Sequence, residues 1–406
     1  MKKLLLALAL FVPVAEAGIV FTPHLSEYGI LPRGTYADHT LIYTSITDVY
    51  DRDGQKVPLG TPKLPVTPGA PFIPPGESVD AALMLFRYLW IGNIFENTDV
   101  PYLNSHNQIF RVIATAGWQQ GTGKVTDQSR LFGLRAGASG IGDLFVLNGI
   151  YTDEYRWGPF KGNGLWSVTT KIPIGDYDER SLLNIGTNYW TSIPQFAMHA
   201  ELFGRLYFDG TAAYQFNGRN NSPAYGGLTP TDPADLYNFE GNLAWKFTEK
   251  WFVDFGYSYR KTVGPNKFEK VTVQFKDPLP AFTACANADI NPDQCSAADN
   301  FRLVPVPGTR EDRGVQGTLL TTSLYYIYRT SSVINFRVAM PIKGRGSQFP
   351  MDFNVVTDPG GVAISDCSSP TSATCQRTVL NGVQEAAAVS ASPFFELRFV
   401  YLVWAP

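Results

Sequence analysis

A histidine near a carboxylate and a serine is the arrangement that supports hydrolysis, so the histidines of the chain are the first candidates for chemistry. They are His24, His39, His106 and His199. His199 lies two residues before Glu201 in a segment of regular alternation, and a Ser-His-carboxylate site can assemble from distant positions. No His-x-Ser-Asn sequence accompanies any of the four. We therefore expect His199 to be a polar wall residue and the protein to have no enzymatic activity.

One short acidic stretch is a candidate for a metal. Asp176, Asp178 and Glu179 would offer Ca²⁺ the oxygen ligands it prefers, although a solvated turn is the favoured interpretation. The chain has no glycine-rich phosphate loop, and we expect neither a bound metal nor a cofactor. The formal net charge is −3 with no basic block, so there is no electrostatic footprint for nucleic acid.

The four cysteines form two close pairs, Cys285 with Cys295 and Cys367 with Cys375. In an oxidising compartment this spacing indicates two small disulfide-closed loops, although the cross-pairings stay open. Zinc fits less well, because no histidine lies near either pair.

The N-terminus indicates export. Lys2 and Lys3 precede an apolar stretch, and Ala15-Glu16-Ala17 has the form of a signal-peptidase site. We predict a cleaved signal peptide at 1–17, a periplasmic leader or plug at 18–35, and a β-barrel at 36–406. No later run of 18 apolar residues could form a transmembrane helix.

Composition and periodicity then predict how the chain is built. Aromatic residues make up 14% of the chain, and charged residues only 17% against about 25% in typical soluble domains. Segments such as 236–247, 252–260, 333–340 and 394–403 alternate large apolar residues with polar ones, as transmembrane strands do. Tryptophans fall at the ends of these segments, where interfacial girdles lie: Trp90, Trp118, Trp190, Trp251 and Trp404. The predicted fold is an all-β, antiparallel, up-and-down transmembrane barrel in a Gram-negative outer membrane.

Strand parity sets the predicted strand count. Residues 196–216 alternate without a parity change, which favours one long strand; the competing interpretation breaks it near Gly204 or Gly210 through an odd-length turn. With one long strand, about twelve strands are predicted: 36–49, 79–91, 108–118, 143–151, 164–173, 183–190, 196–216, 236–247, 251–261, 314–328, 332–342 and 393–404. The short turns at 191–195, 248–250 and 329–331 are assigned to the periplasm. The long stretches, including both cysteine pairs, are assigned outside.

The same parity assigns residues to the lumen. The predicted lining is of mixed sign, which implies weak ion preference. It consists of Arg111, Lys171, Asn184, Asn188, His199, Glu201, Arg205, Glu240, Asn242, Lys246, Asp254, Arg260, Asn335, Arg337, Glu396 and Arg398. These charges would either line a wet path or pair into a network that closes the lumen.

A run of motifs resembles a known family. Gly140-Ile-Gly-Asp143, Ile172-Pro-Ile-Gly-Asp-Tyr-Asp178, Leu183-Asn-Ile-Gly-Thr-Asn-Tyr-Trp190 and Tyr214-Gln-Phe-Asn217 occur in order. They resemble the transporter-like outer-membrane family named for the MetA pathway of phenol degradation. The resemblance implies a barrel that admits small hydrophobic or aromatic molecules, and it supplies no catalytic residue.

The sequence therefore favours a passive uptake channel for small hydrophobic or aromatic solutes, gated by loop 262–313 or 343–392, with lateral exit as one route. The alternative is a non-conducting structural or surface-interaction barrel, and the third and disfavoured one is an outer-membrane hydrolase. The expected partners are outer-membrane lipids, the solutes and the barrel-assembly machinery.

Overall fold

The part of the chain that carries the fold was obtained as a computed structural model. It describes residues 32–51, 53–59, 78–122, 137–179, 181, 183–223, 231–275, 301–311, 314–329, 332–357, 376–387 and 389–404. Within these residues, no helix is long and apolar enough to cross a membrane.

Twelve antiparallel strands form one closed barrel, so the predicted fold class is confirmed. Each strand pairs with its neighbours in chain order, and the last strand pairs with the first, which closes the ring. The strands are β1 (Gly34–Ile46), β2 (Ser78–Gly92), β3 (Gln108–Thr122), β4 (Leu144–Tyr151), β5 (Phe160–Ile172), β6 (Thr191–Leu202), β7 (Leu206–Asn217), β8 (Asp235–Lys246), β9 (Trp251–Val263), β10 (Gln316–Arg329), β11 (Ser332–Arg345) and β12 (Phe394–Trp404).

Shorter or separate strands lie in the connections. Gly137–Ile141 continues the pairing of β3 ahead of β4, and Tyr155–Trp157 folds back on β5. Asp48–Tyr50, Lys56–Pro58 and Val389–Ser390 form a three-stranded sheet. A four-stranded sheet is made of Lys267–Phe275, Phe301–Glu311, Ser347–Thr357 and Gln376–Ala387.

The two ends of the barrel differ in the length of their connections. At the short-turn end, β2 to β11 are joined by 93–107, 152–159, 203–205, 247–250 and 330–331. At the long-loop end the connections are 47–77, 123–143, 173–190, 218–234, 264–315 and 346–393. The start of β1 and the end of β12 meet at the short-turn end, where Thr35 pairs with Trp404. Outer-membrane barrels have this asymmetry.

The prediction of one strand over 196–216 is wrong, as is that of a strand over 183–190. Residues 203–205 form a three-residue turn between β6 and β7, in which Phe203 and Gly204 have φ angles of 59° and 73°. An odd-length turn leaves the parity of the flanking strands unchanged, and glycine tolerates the left-handed conformation at its centre. Segment 183–190 instead belongs to a folded loop, so the two errors cancel in the strand count.

Alternating burial separates the inner face of the barrel from the outer one. In β9 the even residues from 252 to 258 are buried, whereas Phe255 and Tyr257 are 64% and 50% exposed. Large apolar residues are exposed in the same way on most of the other strands. Because successive side chains of a strand point to opposite faces, the exposed apolar set forms the outer surface of the barrel and the buried set faces the lumen.

Candidate functional site

The buried face of β1, β2 and β12 carries an ion cluster around Asp38. Arg87 Nη1 donates to Asp38 Oδ2 at 3.0 Å, and Arg398 Nε donates to the same oxygen at 2.7 Å. Thr40 Oγ1 donates to Asp38 Oδ1 at 3.0 Å. Charge-assisted bonds of this kind are stronger than neutral ones. They tie together three neighbouring strands, including the two that close the barrel.

A second buried cluster adjoins the first on β9 to β12. Tyr325 donates its hydroxyl proton to Asp254 Oδ2 at 2.7 Å, and Arg337 Nη2 lies 3.9 Å from the same oxygen. Arg337 is also paired in register with Glu396 of β12. Along the wall from β9 to β2 the order is therefore Asp254, Arg337, Glu396, Arg398, Asp38 and Arg87. We call these six residues of alternating sign the charged belt.

An adjoining part of the inner face is apolar. Seven inward residues of β1 to β6 pack into one cluster, which we call the apolar patch: Tyr36, Ile91, Ile109, Leu147, Tyr151, Leu165 and Ala197. Each is at most 3% exposed. Strand alternation assigns large apolar residues to the outer face, so the sequence did not predict this set. Its signal was the apolar residues of β3 to β5 that fall at inward parity, such as Ile109, Leu147 and Leu165.

His199 on β6 pairs with an acidic residue of β7 and not with Glu201, which lies two residues further along its own strand. His199 Nδ1 lies 2.7 Å from Oδ1 of the buried Asp209. Glu201 instead binds Lys161, with 2.6 Å between Nζ and Oε2. Among the described residues, no serine hydroxyl is hydrogen-bonded to His199. The contact between His199 and Asp209 therefore links the neighbouring strands β6 and β7.

At the long-loop end, near the start of β4, segments 141–143, 174–176 and 185–187 pack closely together. We call this cluster, with Lys171, the glycine-aspartate lock. Asp143 accepts hydrogen bonds from Gly175 N at 3.1 Å, Thr187 N at 3.0 Å and Thr187 Oγ1 at 2.6 Å. Lys171 bonds to the Thr187 hydroxyl, and its Nζ lies 4.0 Å from Asp143 Oδ2 and 3.7 Å from the ring centre of Tyr189. These contacts fold loop 173–190 against the wall.

Close backbone approach explains the glycines of this lock. A Cβ on Gly175 would lie 2.6 Å from the carbonyl carbon of Gly142 and 2.8 Å from the Cα of Gly186. Only glycine allows three backbones to meet so closely. The repeated Ile-Gly-Asp and Ile-Gly-Thr motifs at 141–143, 174–176 and 185–187 are therefore the residues that fold the loop.

The acidic stretch that was a calcium candidate takes part in the same lock. Asp176 Oδ2 accepts a hydrogen bond from Ile141 N at 2.7 Å, and Asp178 N donates to Asn184 Oδ1 at 2.8 Å. Within the described residues, no group of three or more histidine, cysteine or acidic side chains could hold a metal ion. The carboxylate of Asp176 serves the loop fold.

The predicted lumen residues separate into three groups. Those buried on the inner face of barrel strands are Arg111, Lys171, Glu240, Asn242, Asp254, Asn335, Arg337, Glu396 and Arg398. Partly exposed ones on the same face are His199, Glu201, Lys246 and Arg260. Three others are not on strands: Asn184 and Asn188 lie in loop 173–190, and Arg205 is exposed in the turn at 203–205. For these three the strand assignment was wrong.

At the short-turn end, Lys246 also binds Glu249, with 2.6 Å between Nζ and Oε2. The hydrogen bond and positive charge of Lys246 hold the pKa of Glu249 below its ordinary value.

The predicted signal peptide and all four cysteines, Cys285, Cys295, Cys367 and Cys375, lie outside the described residues. Both therefore stay predictions.

A closed barrel with an apolar outer surface and a polar-apolar interior defines the class of outer-membrane β-barrel proteins. The family model described as "Putative MetA-pathway of phenol degradation" matches residues 63–294, and the chain belongs to this family. The predicted resemblance is therefore confirmed. No curated protein matches the sequence.

One solved structure shares the fold at low sequence identity, and a second match has a lower TM-score. The COG4313 outer membrane channel from Pseudomonas putida F1 is 13% identical, with a TM-score of 0.56; the match covers 94% of this chain and 99% of that chain. A Pseudomonas aeruginosa FadL homologue is 10% identical, with a TM-score of 0.33; the match covers 97% of this chain and 93% of that chain.

Proposed function

We propose that the protein is a passive outer-membrane channel for small hydrophobic or aromatic molecules. The observation that carries the proposal is the apolar patch, because seven apolar side chains on six adjacent strands face the inside of the barrel. A lumen lined only by polar groups would reject apolar solutes, whereas these side chains make part of the inner wall apolar. Because each of them is at most 3% exposed, solutes reach the patch only when the groups that cover it move aside. The family's association with phenol degradation supports the same class of solute.

The charged belt has a different role in this proposal. Its acids and bases alternate along the wall, with Asp38 paired to Arg87 and Arg398 and Asp254 close to Arg337, so it presents no single-sign ring to a passing ion. We expect it to link the five strands that carry it and to give the channel weak ion preference. Solutes then move along the apolar patch, beside the part of the wall that the ion pairs hold together.

Membrane orientation follows from the lengths of the connections. The long-loop end faces the medium and the short-turn end faces the periplasm. Loop 173–190, which the glycine-aspartate lock holds against the wall, joins loops 262–313 and 343–392 as a candidate gate. Export by a cleaved signal peptide, contact with outer-membrane lipids and insertion by the barrel-assembly machinery of a Gram-negative cell complete this proposal.

A closed, structural barrel is the second candidate. One observation favours it: Arg337 and Asp254 of the charged belt are both 0% exposed, as expected where side chains fill a lumen. Conductance of the purified protein in planar bilayers separates the two. The channel proposal predicts discrete current steps with a cation-to-anion permeability ratio near one. Silent membranes, with the barrel shown to be inserted by heat-modifiable migration, support the closed barrel.

We propose that solutes pass through the barrel without being hydrolysed. The pair of His199 and Asp209 allows a direct test. Both residues are held in the wall by their mutual contact. A His199→Gln variant is expected to conduct like the wild type. Esterase activity of the wild type that this variant loses would favour the hydrolase.

A further inference from the structure

A β-bulge in β11 turns two cationic side chains to the outer face of the barrel. In the register with β10, Pro341 is followed directly by Lys343, so Ile342 has no partner. An extra residue of this kind moves the side chains that follow it to the other face of the strand. Without the bulge, Lys343 and Arg345 would have the inward parity of Arg337. The bulge therefore places both cations on the side of the barrel that faces the lipid.

Lys261 of β9 joins these two cations at the long-loop end of the outer face. It is in register with Gln316 of β10, which is in register with Arg345 of β11. Neighbouring strands are about 4.8 Å apart and same-face residues of one strand about 7 Å apart, so the three Cα atoms lie within roughly 12 Å. We call Lys261, Lys343 and Arg345 the cationic rim.

Within the part of the chain that the structure describes, no carboxylate neutralises the cationic rim. Its three side chains form no ion pair there, and Arg345 Nε has no hydrogen-bond partner. Lys343 is exposed and the other two are half-buried. The acid nearest in register on the outer face is Asp235, whose carboxylate accepts hydrogen bonds from Asn217 N at 2.9 Å and the Tyr214 hydroxyl at 3.3 Å, both on β7. The rim therefore offers three positive charges to an anion.

Aromatic and aliphatic side chains continue the outer face from the cationic rim towards the middle of the barrel. The rings of Tyr237 and Tyr259 come first, with their centres 6.1 Å apart. Tyr257, Leu320 and Met340 follow in one row across β9, β10 and β11. They are 50%, 40% and 50% exposed. A molecule bound at the rim thus has an apolar surface beside it for hydrocarbon chains.

This combination of surfaces defines the chemistry of the partner. Lysine and arginine bind phosphate oxygens through charge-assisted hydrogen bonds. Clusters of basic residues at a membrane surface attract anionic lipid headgroups. Three cations within this distance suit a headgroup with more than one phosphate, and the long-loop end faces the outer leaflet. In a Gram-negative outer membrane, a phosphorylated glycolipid with several acyl chains fills that leaflet.

We infer that the cationic rim binds the phosphates of a bisphosphorylated glycolipid of the outer leaflet. Its acyl chains lie along Tyr257, Leu320 and Met340. The inference rests on the membrane orientation given with the proposed function, and it adds a lipid partner on the surface opposite the lumen.

Native mass spectrometry of the full-length protein, released from detergent, measures binding of diphosphoryl lipid A, monophosphoryl lipid A and phosphatidylglycerol. The wild type should prefer the diphosphoryl form over the other two. The variant Lys261→Gln/Lys343→Gln/Arg345→Gln should bind diphosphoryl lipid A about tenfold more weakly, because three charge-assisted contacts are lost. It should also bind the two forms of lipid A equally, which a general loss of stability would not produce.

Two control proteins complete the test. Arg156→Gln/Arg205→Gln/Lys250→Gln removes three exposed cations from the turns of the short-turn end and changes the net charge equally, so it should bind diphosphoryl lipid A like the wild type. Lys261→Arg/Lys343→Arg/Arg345→Lys keeps the charges of the rim and should retain the preference for two phosphates. This second protein covers the case in which the glutamine variant of the rim does not fold.

The outcomes separate this site from the proposed channel. Equal affinity of the wild type and the glutamine variant of the rim for diphosphoryl lipid A, or equal loss in the short-turn control, overturns the site. Wild-type binding of phosphatidylglycerol as tight as that of diphosphoryl lipid A overturns the choice of a bisphosphorylated glycolipid. A wild type that conducts in planar bilayers without this preference overturns the site and leaves the channel standing. A wild type that shows the preference but never conducts supports the site and contradicts the channel.

Discussion

Arg398 Nη2 lies 2.5 Å from Asp38 Oδ2, across the pair of strands that closes the barrel. Asp38 also receives Arg87 from the other side, so one buried carboxylate balances two guanidinium groups. A buried charge on the inner face therefore links the first and last strands of the barrel. Backbone pairing closes the ring, and the ion pairs add side-chain contacts between β1, β2 and β12.

Replacing Asp38 with asparagine should strongly destabilise the barrel. The substitution removes the carboxylate that two buried guanidinium groups share, and breaking a buried ion pair in this way costs about 3–5 kcal/mol. Urea titration of the folded, heat-modifiable form measures the effect. Asp48 pairs with Lys56 at 3.5 Å in an exposed position, so Asp48→Asn is the matched control and should change stability by less than about 1 kcal/mol. Equal effects of the two substitutions would show that the buried ion pairs of Asp38 contribute no more to stability than the pair of Asp48 and Lys56.

The glycine-aspartate lock predicts a local effect of one methyl group. Gly175→Ala places a Cβ 2.6 Å from the carbonyl carbon of Gly142 and should cost about 1–3 kcal/mol by overpacking. Amide exchange in loop 173–190 should then accelerate, while exchange in β9 stays unchanged. Gly241→Ala is the control, because its nearest neighbour would lie 3.6 Å away. If amide exchange in the loop stays slow in Gly175→Ala, the close approach of the three backbones is not required to hold loop 173–190 in place.

The turn at 203–205 can be tested by chemical labelling from each side of the membrane. In a background with all four cysteines replaced by serine, Arg205→Cys should react with a large maleimide only after the outer membrane is permeabilised. Glu179→Cys, in loop 173–190, should react in intact cells. A single strand over 196–216 would place residue 205 on the lumen wall within the barrel, out of reach of a large reagent, so an Arg205→Cys variant that stays unlabelled after permeabilisation contradicts the hairpin.

Period-two alternation predicted most of the fold, because a barrel wall separates lipid from lumen residue by residue. It failed where parity carries no information. The three-residue turn at Gly204 leaves the alternation of 196–216 intact, so β6 and β7 looked like one strand. Segment 183–190 alternates as well, but its polar groups bind residues of the lock and of the loop after β7, such as Asn220, rather than a neighbouring strand.

The charged residues of the site could be predicted from the sequence, whereas the apolar patch could not. Arg337, Glu396 and Arg398 occupy inward positions on clearly alternating strands, so their placement followed from parity. Their partners did not, because Asp38 is 360 residues from Arg398 and the pairing depends on which strands close the ring. The apolar patch broke the expectation of a polar interior. Only the closed barrel shows that Leu147 and Leu165 share a face with Arg111.

Uptake of an apolar aromatic by whole cells tests the central proposal most directly. Radiolabelled toluene should enter Gram-negative cells that produce the wild-type protein faster than cells that lack it. Leu147→Asn/Leu165→Asn, which makes the apolar patch polar, should lower the protein-dependent rate about tenfold. Leu147→Met/Leu165→Met should keep that rate. Uptake that does not depend on the protein, or that the asparagine variant leaves unchanged at equal barrel abundance, would contradict a channel whose apolar patch carries the solute.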